Sequence, residues 1–178
     1  MIFKFAPPKE GHFIYLNMAT KDFSQYDISS VPSASHMRFG IVAAEWNPEI
    51  TLALTDGAVN TLKKHGAGND NIVLKFVPGS FELPLGAQFL AEYENVDAVI
   101  VLGCVIQGET RHFEYICEGV AQGIKDLNLK YNKPFIFGLL TTLNHQQALD
   151  RAGGKHGNKG DEAAVTAIKM VHLKNSLQ

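Results

Sequence analysis

The chain has 178 residues, 46% of them hydrophobic and 19% charged, with a formal net charge of −2. That length sets one domain as the expectation, and the composition excludes wholesale disorder. Sixteen basic against eighteen acidic residues leave no electrostatic footprint for nucleic acid, and no apolar run approaches the length of a membrane span, so neither partner is expected.

The first 38 residues stand apart. They hold Pro7, Pro8 and Pro32, the polar run SSVPSAS, and no sustained hydrophobic period. They read as an N-terminal arm, extended or partly disordered, ahead of an α/β domain over 39–178. The opening stretch MIFKFAPPKEGHF lacks the continuous hydrophobic region of a secretory signal. Cys104 and Cys117 show no CxxC spacing and read as small hydrophobes. The expected compartment is the cytoplasm.

From Phe39 onward apolar runs alternate with helical periods. FGIVAAE (39–45), IVLKFV (72–77), DAVIVLGCVI (97–106) and PFIFGLLTT (134–142) carry little polar alternation, which predicts strands buried on both faces. Over 49–65, Ile50, Leu54, Ala58 and Leu62 make one apolar stripe, with Asn47 as N-cap and Pro48 in the first turn. Ile116, Val120 and Ile124 repeat the pattern in 112–130, where Gly119 and Gly123 permit close contact with a neighbouring helix. A short helix from Asn144, with Gln147 three residues on as in a capping box, is predicted to end at Gly153-Gly154. Ala164, Ala167, Ile168 and Val171 mark a last helix over 162–174. This order predicts an α/β domain with a parallel sheet and right-handed crossovers.

Ligands of open α/β sheets bind beyond the carboxyl ends of the strands. Those ends carry EWN, PGSFELP, QGETRHF and TTLNH, each with distinctive polar or aromatic residues. In GET, Gly108 allows unusual backbone angles, and the amides of Glu109 and Thr110 lead into a helix N-terminus. Such a turn fits an anion cradle, with the helix dipole adding about half a positive charge. It also fits an ordinary strand-to-helix turn with a polar cap. His112 follows on the first helical turn, as a proton shuttle or as a surface histidine. No histidine pair has metal-ligand spacing, so no metal is expected.

Residues 150–162, DRAGGKHGNKGDE, gather Arg151, Lys155 and Lys159 among four glycines. They lack the lysine-serine/threonine ending of a P-loop, and the chain contains no GxGxxG. Arg151 suits bidentate phosphate contact, and a solvated basic loop is the alternative. Glu82 is a candidate acceptor for a polyhydroxy chain or a ring N–H, with backbone around Ser80 adding to it; a dipole-favoured acid at a helix start is the other reading. Trp46 offers a flat face to a heterocycle or to the core. Together these residues describe a small-molecule enzyme with an anion site, a heterocycle platform and one histidine.

VPGSFELP, LGCVIQGETRHFEYI, IFGLLTT and RAGGKHGNKGDEAA, in this order and spacing from about residue 39 to 173, resemble the 6,7-dimethyl-8-ribityllumazine synthase family of riboflavin biosynthesis. The resemblance implies a flavodoxin-like three-layer αβα sandwich with a four-stranded parallel sheet. It implies condensation of 5-amino-6-(D-ribitylamino)uracil with 3,4-dihydroxy-2-butanone 4-phosphate, releasing phosphate and water without a metal or organic cofactor.

By the same resemblance Trp46 stacks on the pyrimidine, and Ser80, Phe81 and Glu82 bind the ribityl chain and orient the ring. Cys104, Val105 and Ile106 present backbone to the uracil, Glu109 and Thr110 hold the butanone phosphate, and His112 is the catalytic histidine. Phe137 and Arg151 match residues that the family supplies from a neighbouring subunit, with Lys159 in the same basic loop. The implied state is a homo-oligomer, a pentamer or an icosahedral capsid of pentamers, with riboflavin synthase as a further candidate partner. Gln107 stands where the family often has a basic residue, and Arg111 where it is often small or Pro. A flavin or lumazine carrier, a shell protein and an electron carrier are the rival readings of the same fold.

Overall fold

The computed structural model of the chain describes residues 28–178. Residues 1–27 of the segment read as an arm lie outside the described residues. Within the remainder of that segment a 3-10 turn covers Ile28–Ser30, and Val31, Ala34 and Met37 are buried in the core. The Ala34 amide donates to the His65 carbonyl at 2.8 Å, which fastens this stretch to the end of the first helix.

The elements in order are β1 (Phe39–Ala44), α1 (Pro48–Lys64), β2 (Ile72–Val77), α2 (Leu83–Tyr93), β3 (Ala98–Ile106), α3 (His112–Tyr131), β4 (Phe135–Thr142), α4 (His145–Leu149), β5 (Ala152–Gly154), β6 (Gly157–Asn158) and α5 (Lys159–Ser176). The four long strands form a parallel sheet in the order β2-β1-β3-β4, and β5 and β6 pair as a small antiparallel hairpin. Successive side chains of a strand point to opposite faces. Accordingly Ile41 and Ala43 join Ile50, Leu54, Leu62, Ile168 and Val171 of α1 and α5, while Val42 and Ala44 join Leu83, Leu90, Val120 and Ile124 of α2 and α3. The result is a three-layer αβα sandwich. Every member of the predicted α1 and α5 stripes is buried.

The predicted two-sided burial holds for β1 and most of β3, whereas β2 departs from it. Edge strand β2 turns Val73 and Val77 toward the α2 layer, but Leu74 and Phe76, on the opposite face, remain exposed. The run of six apolar or aliphatic-stemmed residues carried no sign of which strand would fall at the edge.

Gly123 has the role its spacing suggested: a Cβ there would come within 2.9 Å of Pro84, so α3 can approach α2 only without a side chain. Asn128 ties α3 to the other sheet edge, its amide donating to the Ile124 and Phe135 carbonyls at 2.9 and 3.0 Å and its oxygen accepting the Phe135 amide at 2.9 Å. The short helix α4 begins as predicted, with Asn144 Oδ1 accepting the Gln147 amide at 2.9 Å. It ends at Leu149 rather than at Gly153-Gly154, because those glycines belong to the β5–β6 hairpin, where Gly153 takes φ 113°. No helix among the described residues is long and apolar enough to cross a membrane.

Candidate active site

All four strands point their carboxyl ends the same way, so the residues that follow them gather at one end of the sheet. After β1, the Glu45 amide still bonds the Val77 carbonyl at 2.8 Å, and Trp46 then stands 72% exposed. After β2, a 3-10 turn at Ser80–Glu82 buries Ser80 and leaves Phe81 and Glu82 exposed. Trp46, Ser80, Phe81, Glu82, Cys104, Val105, Ile106 and His112 line a single cavity of about 400 Å³. Eight residues singled out from four separate stretches of sequence thus share one concavity.

The strand ends also determine which backbone groups face it. β1 pairs with β3 only as far as Ala43 opposite Leu102, whereas β4 follows β3 to Ile106 opposite Thr142. Past Leu102, β3 therefore has one open edge. Backbone groups of a strand alternate between its two neighbours. The Val99 amide donates to the Pro134 carbonyl at 2.9 Å and the Gln107 amide to the Thr142 carbonyl at 2.8 Å, so odd-numbered residues face β4. Cys104 and Ile106 face the open edge. Val105 commits its polar backbone groups to β4 and has its side chain left for the cavity.

Asn47 departs from its expected role. It occupies the N-cap position of α1, with Pro48 following, yet its side chain makes no capping bond. Its backbone is left-handed, φ 59° and ψ 57°, and Nδ2 donates to the Cys104 carbonyl at 3.0 Å. Gly79 and Ile116 line the cavity as well; neither is a site candidate from sequence, where Ile116 reads only as part of the α3 apolar stripe. Gly103 matters indirectly: a Cβ there would meet Leu139 and Leu83 within 2.8 Å and the Ser80 hydroxyl at 3.2 Å.

Burial pushes the Cys104 thiol up to about 11, so at neutral pH it is a protonated, apolar part of the wall. His112, the first residue of α3, is exposed at the cavity rim, its amide 3.4 Å from the Thr110 hydroxyl. The Gly108 turn is ordinary in its dihedrals, since Gly108 is not among the positive-φ glycines, and a Cβ there would meet nothing. The left-handed freedom that glycine allows is thus not used at this position. Gln107 Nε2 donates to the Gly108 carbonyl at 2.9 Å, while the amides of Gly108, Glu109, Thr110 and Arg111 have no acceptor among the described residues. Arg111 points to Glu114 at 3.4 Å and over the Tyr115 ring at 5.6 Å.

Phe137, Arg151 and Lys159 line a different cavity, of about 560 Å³, against β4 and α5. Arg151 Nη1 donates to the Gln147 carbonyl at 2.9 Å, and Lys159 Nζ bonds Glu162 at 2.6 Å. Thr142 also faces this cavity, with a buried hydroxyl that has no hydrogen-bond partner among the described residues. Lys155, the third cation of the loop, pairs with Asp150 at 2.8 Å and, with Gln146, holds that carboxyl below its usual range. Glu109 and Thr110 line neither cavity. Within one chain most of the candidate residues are therefore divided between two separate cavities. Among the described residues no group of three His, Cys, Asp or Glu side chains is placed to hold a metal ion.

The profile of the family described as 6,7-dimethyl-8-ribityllumazine synthase matches residues 36–175. A protein of that name from Parabacteroides distasonis is 64% identical over 155 residues, covering 87% of this chain and 97% of its own length. Its counterpart from Cytophaga hutchinsonii is 61% identical over 156 residues, covering 88% and 98%. One from Bacteroides fragilis is 59% identical over 141 residues, covering 79% and 99%. With matches of this extent over the whole α/β domain, the chain belongs to the 6,7-dimethyl-8-ribityllumazine synthase family.

Proposed function

We propose that this chain condenses 5-amino-6-(D-ribitylamino)uracil with 3,4-dihydroxy-2-butanone 4-phosphate to give 6,7-dimethyl-8-ribityllumazine, phosphate and water. The observation that supports the residue assignment is the shared cavity: eight residues that the motifs and the resemblance single out meet at the carboxyl end of the sheet.

Trp46 and Phe81 flank that cavity as exposed aromatic faces for the pyrimidine. The Cys104 amide and both backbone groups of Ile106, on the open edge of β3, suit the alternating donors and acceptors of a uracil ring, with Val105 closing the wall. Ser80 and Glu82 offer acceptors to the ribityl hydroxyls. Glu109 and Thr110 contribute free amides at the start of α3, where the dipole favours the butanone phosphate.

The reaction needs no protein nucleophile. The uracil's amine adds to the ketone and water leaves to form an imine; phosphate is then eliminated, and the ribitylamino nitrogen adds to the carbonyl this generates and loses a second water as the ring closes. Each stage moves a proton. His112, exposed at the rim beside Thr110, is placed to accept and return it. Holding two reactants in register supplies much of the acceleration.

Phe137, Arg151 and Lys159 face away from this cavity in their own chain, which supports a homo-oligomer whose sites are completed by a neighbour. In that assembly Arg151 clamps the phosphate, Lys159 adds positive potential and Phe137 closes the pyrimidine side. Mixing the purified protein with both substrates and following the lumazine chromophore tests the reading. Formation well above the uncatalysed background is expected. Background rate from an intact oligomer overturns it in favour of a carrier.

A further inference from the structure

Asn47 is the one residue of the first cavity whose conformation and bonding both depart from what its sequence position calls for. An Asn before Pro at a helix start is expected to cap that helix with its side chain. Here α1 is left without that bond, and the backbone takes φ 59° and ψ 57°, a region costly for most side chains and tolerated by Asn. The side-chain amide is spent instead on the Cys104 carbonyl, 57 residues away, at 3.0 Å.

The target of that bond matters. β1 stops pairing with β3 at Leu102, so the segments that follow on the two strands, both lining the cavity, have no backbone ladder between them. Asn47 supplies the missing rung. It lies next to Trp46, which is 72% exposed and has no hydrogen bond or ring contact of its own among the described residues. Trp46 is the only tryptophan in the chain. The backbone around it is anchored to β2 through the Glu45 amide and to α1 through the Asn47 carbonyl, and its tie to the open edge of β3 runs through the Asn47 side chain.

We infer that Asn47 is a positioning residue: its side-chain tether to the Cys104 carbonyl holds the Trp46–Asn47 segment at the β3 edge and so sets the width of the heterocycle slot that Trp46 borders. The tether has a second effect. By occupying the Cys104 carbonyl it removes one acceptor from the open edge, leaving the Cys104 amide and the two groups of Ile106 for the ligand. Asn47 thus shapes the hydrogen-bond pattern that a planar heterocycle must match. The effect on catalysis rests on the reading of Trp46 as the pyrimidine platform, while the tether itself does not.

Two variants separate the tether from the backbone strain. Asn47→Gly keeps the left-handed conformation at no steric cost and deletes the side chain. Asn47→Asp keeps size and left-handed tolerance but sets a carboxylate oxygen against the Cys104 carbonyl. Both are compared with the unaltered oligomer by the fluorescence anisotropy of Trp46 and by KM for each substrate. Lower anisotropy is expected in both variants. The pyrimidine KM should rise about tenfold, the size of one lost hydrogen bond, with the butanone phosphate KM within about twofold. Unchanged anisotropy in Asn47→Gly overturns the inference, whether or not thermal stability falls. A rise in both KM values together overturns it too. If the unaltered protein forms no lumazine, the proposed function falls, and the anisotropy alone still decides the tether.

Discussion

The Lys159 amide donates to the Arg151 carbonyl at 2.9 Å, so the two cations of the second cavity are carried by one hairpin stem. The stem is closed further by His156 donating its amide to the Asp150 carbonyl at 2.8 Å. α5 starts immediately after it, with Asn158 Oδ1 accepting the Gly160 amide and its Nδ2 reaching the Ala53 carbonyl of α1, both at 2.8 Å. A cationic loop that the sequence leaves open between phosphate contact and simple solvation is thereby anchored to the α1–α5 layer.

Arg151→Ala should raise KM for the butanone phosphate by roughly ten- to a hundredfold, the loss of a charge-assisted bond, with little change for the pyrimidine. Lys159→Ala should do less, because Glu162 already holds that ammonium at 2.6 Å. Steady-state kinetics with each substrate varied in turn checks both. Equal effects on the two substrates would remove the clamp assignment.

Gly160→Ala should destabilise the fold. An added Cβ would lie 1.9 Å from the Leu54 carbonyl oxygen and 2.9 Å from Asn158 Oδ1, so α1 and α5 must separate. Helix propensity favours Ala by about 1 kcal/mol, and overpacking against backbone costs about 3 kcal/mol or more, so the clash wins. Denaturant unfolding should show a lower midpoint, with loss of Arg151-dependent activity in parallel. A variant as stable as the parent contradicts the packing.

Cys104 should be inert toward thiol reagents. With its value at about 11, the thiolate is roughly one part in a thousand at pH 8. In a Cys117→Ser background, labelling should be at least about a hundredfold slower than for free cysteine. The stability consequence has a definite sign. The folded value lies above the unfolded one, so the contribution is complete below about pH 9 and is lost as pH rises toward 11. Cys104→Ala should flatten that alkaline decline. Rapid labelling at pH 8 would show the wall to be open.

Much of the fold was legible because it rests on periods. The α1 stripe Ile50, Leu54, Ala58 and Leu62 and the continuous run of β3 leave no alternative packing for an αβα layer arrangement. What was not legible depends on sheet position and on tertiary competition for one side chain. Nothing in IVLKFV distinguishes an edge strand from a central one, although its order in the sheet exposes Leu74 and Phe76. Asn47-Pro48 has the same local signal whether the amide caps α1 or bonds Cys104, and only the adjacency of the β1 and β3 ends decides. The resemblance already sets Arg151 apart from His112 as a neighbour's contribution, while the residues that share a cavity with each emerge only when β4 and the hairpin are placed.

That separation yields the sharpest test of a shared site. On the proposed reading, His112→Ala removes the proton shuttle from the first cavity and Arg151→Ala removes the phosphate clamp from the second. If a working site joins the first half of one subunit to the second half of another, each single variant has only defective sites. Co-assembled subunits of both kinds place some intact His112 halves against intact Arg151 halves. Random mixing in equal amounts should make about a quarter of the interfaces doubly intact, with a matching share of parental activity, since catalytic defects at separate sites do not average. Native mass spectrometry verifies the mixed oligomers, and dilution of either variant should lower activity in proportion to the intact pairings. Activity no greater than the sum of the separate variants, in oligomers shown to be mixed, would place both residues in the service of a single chain.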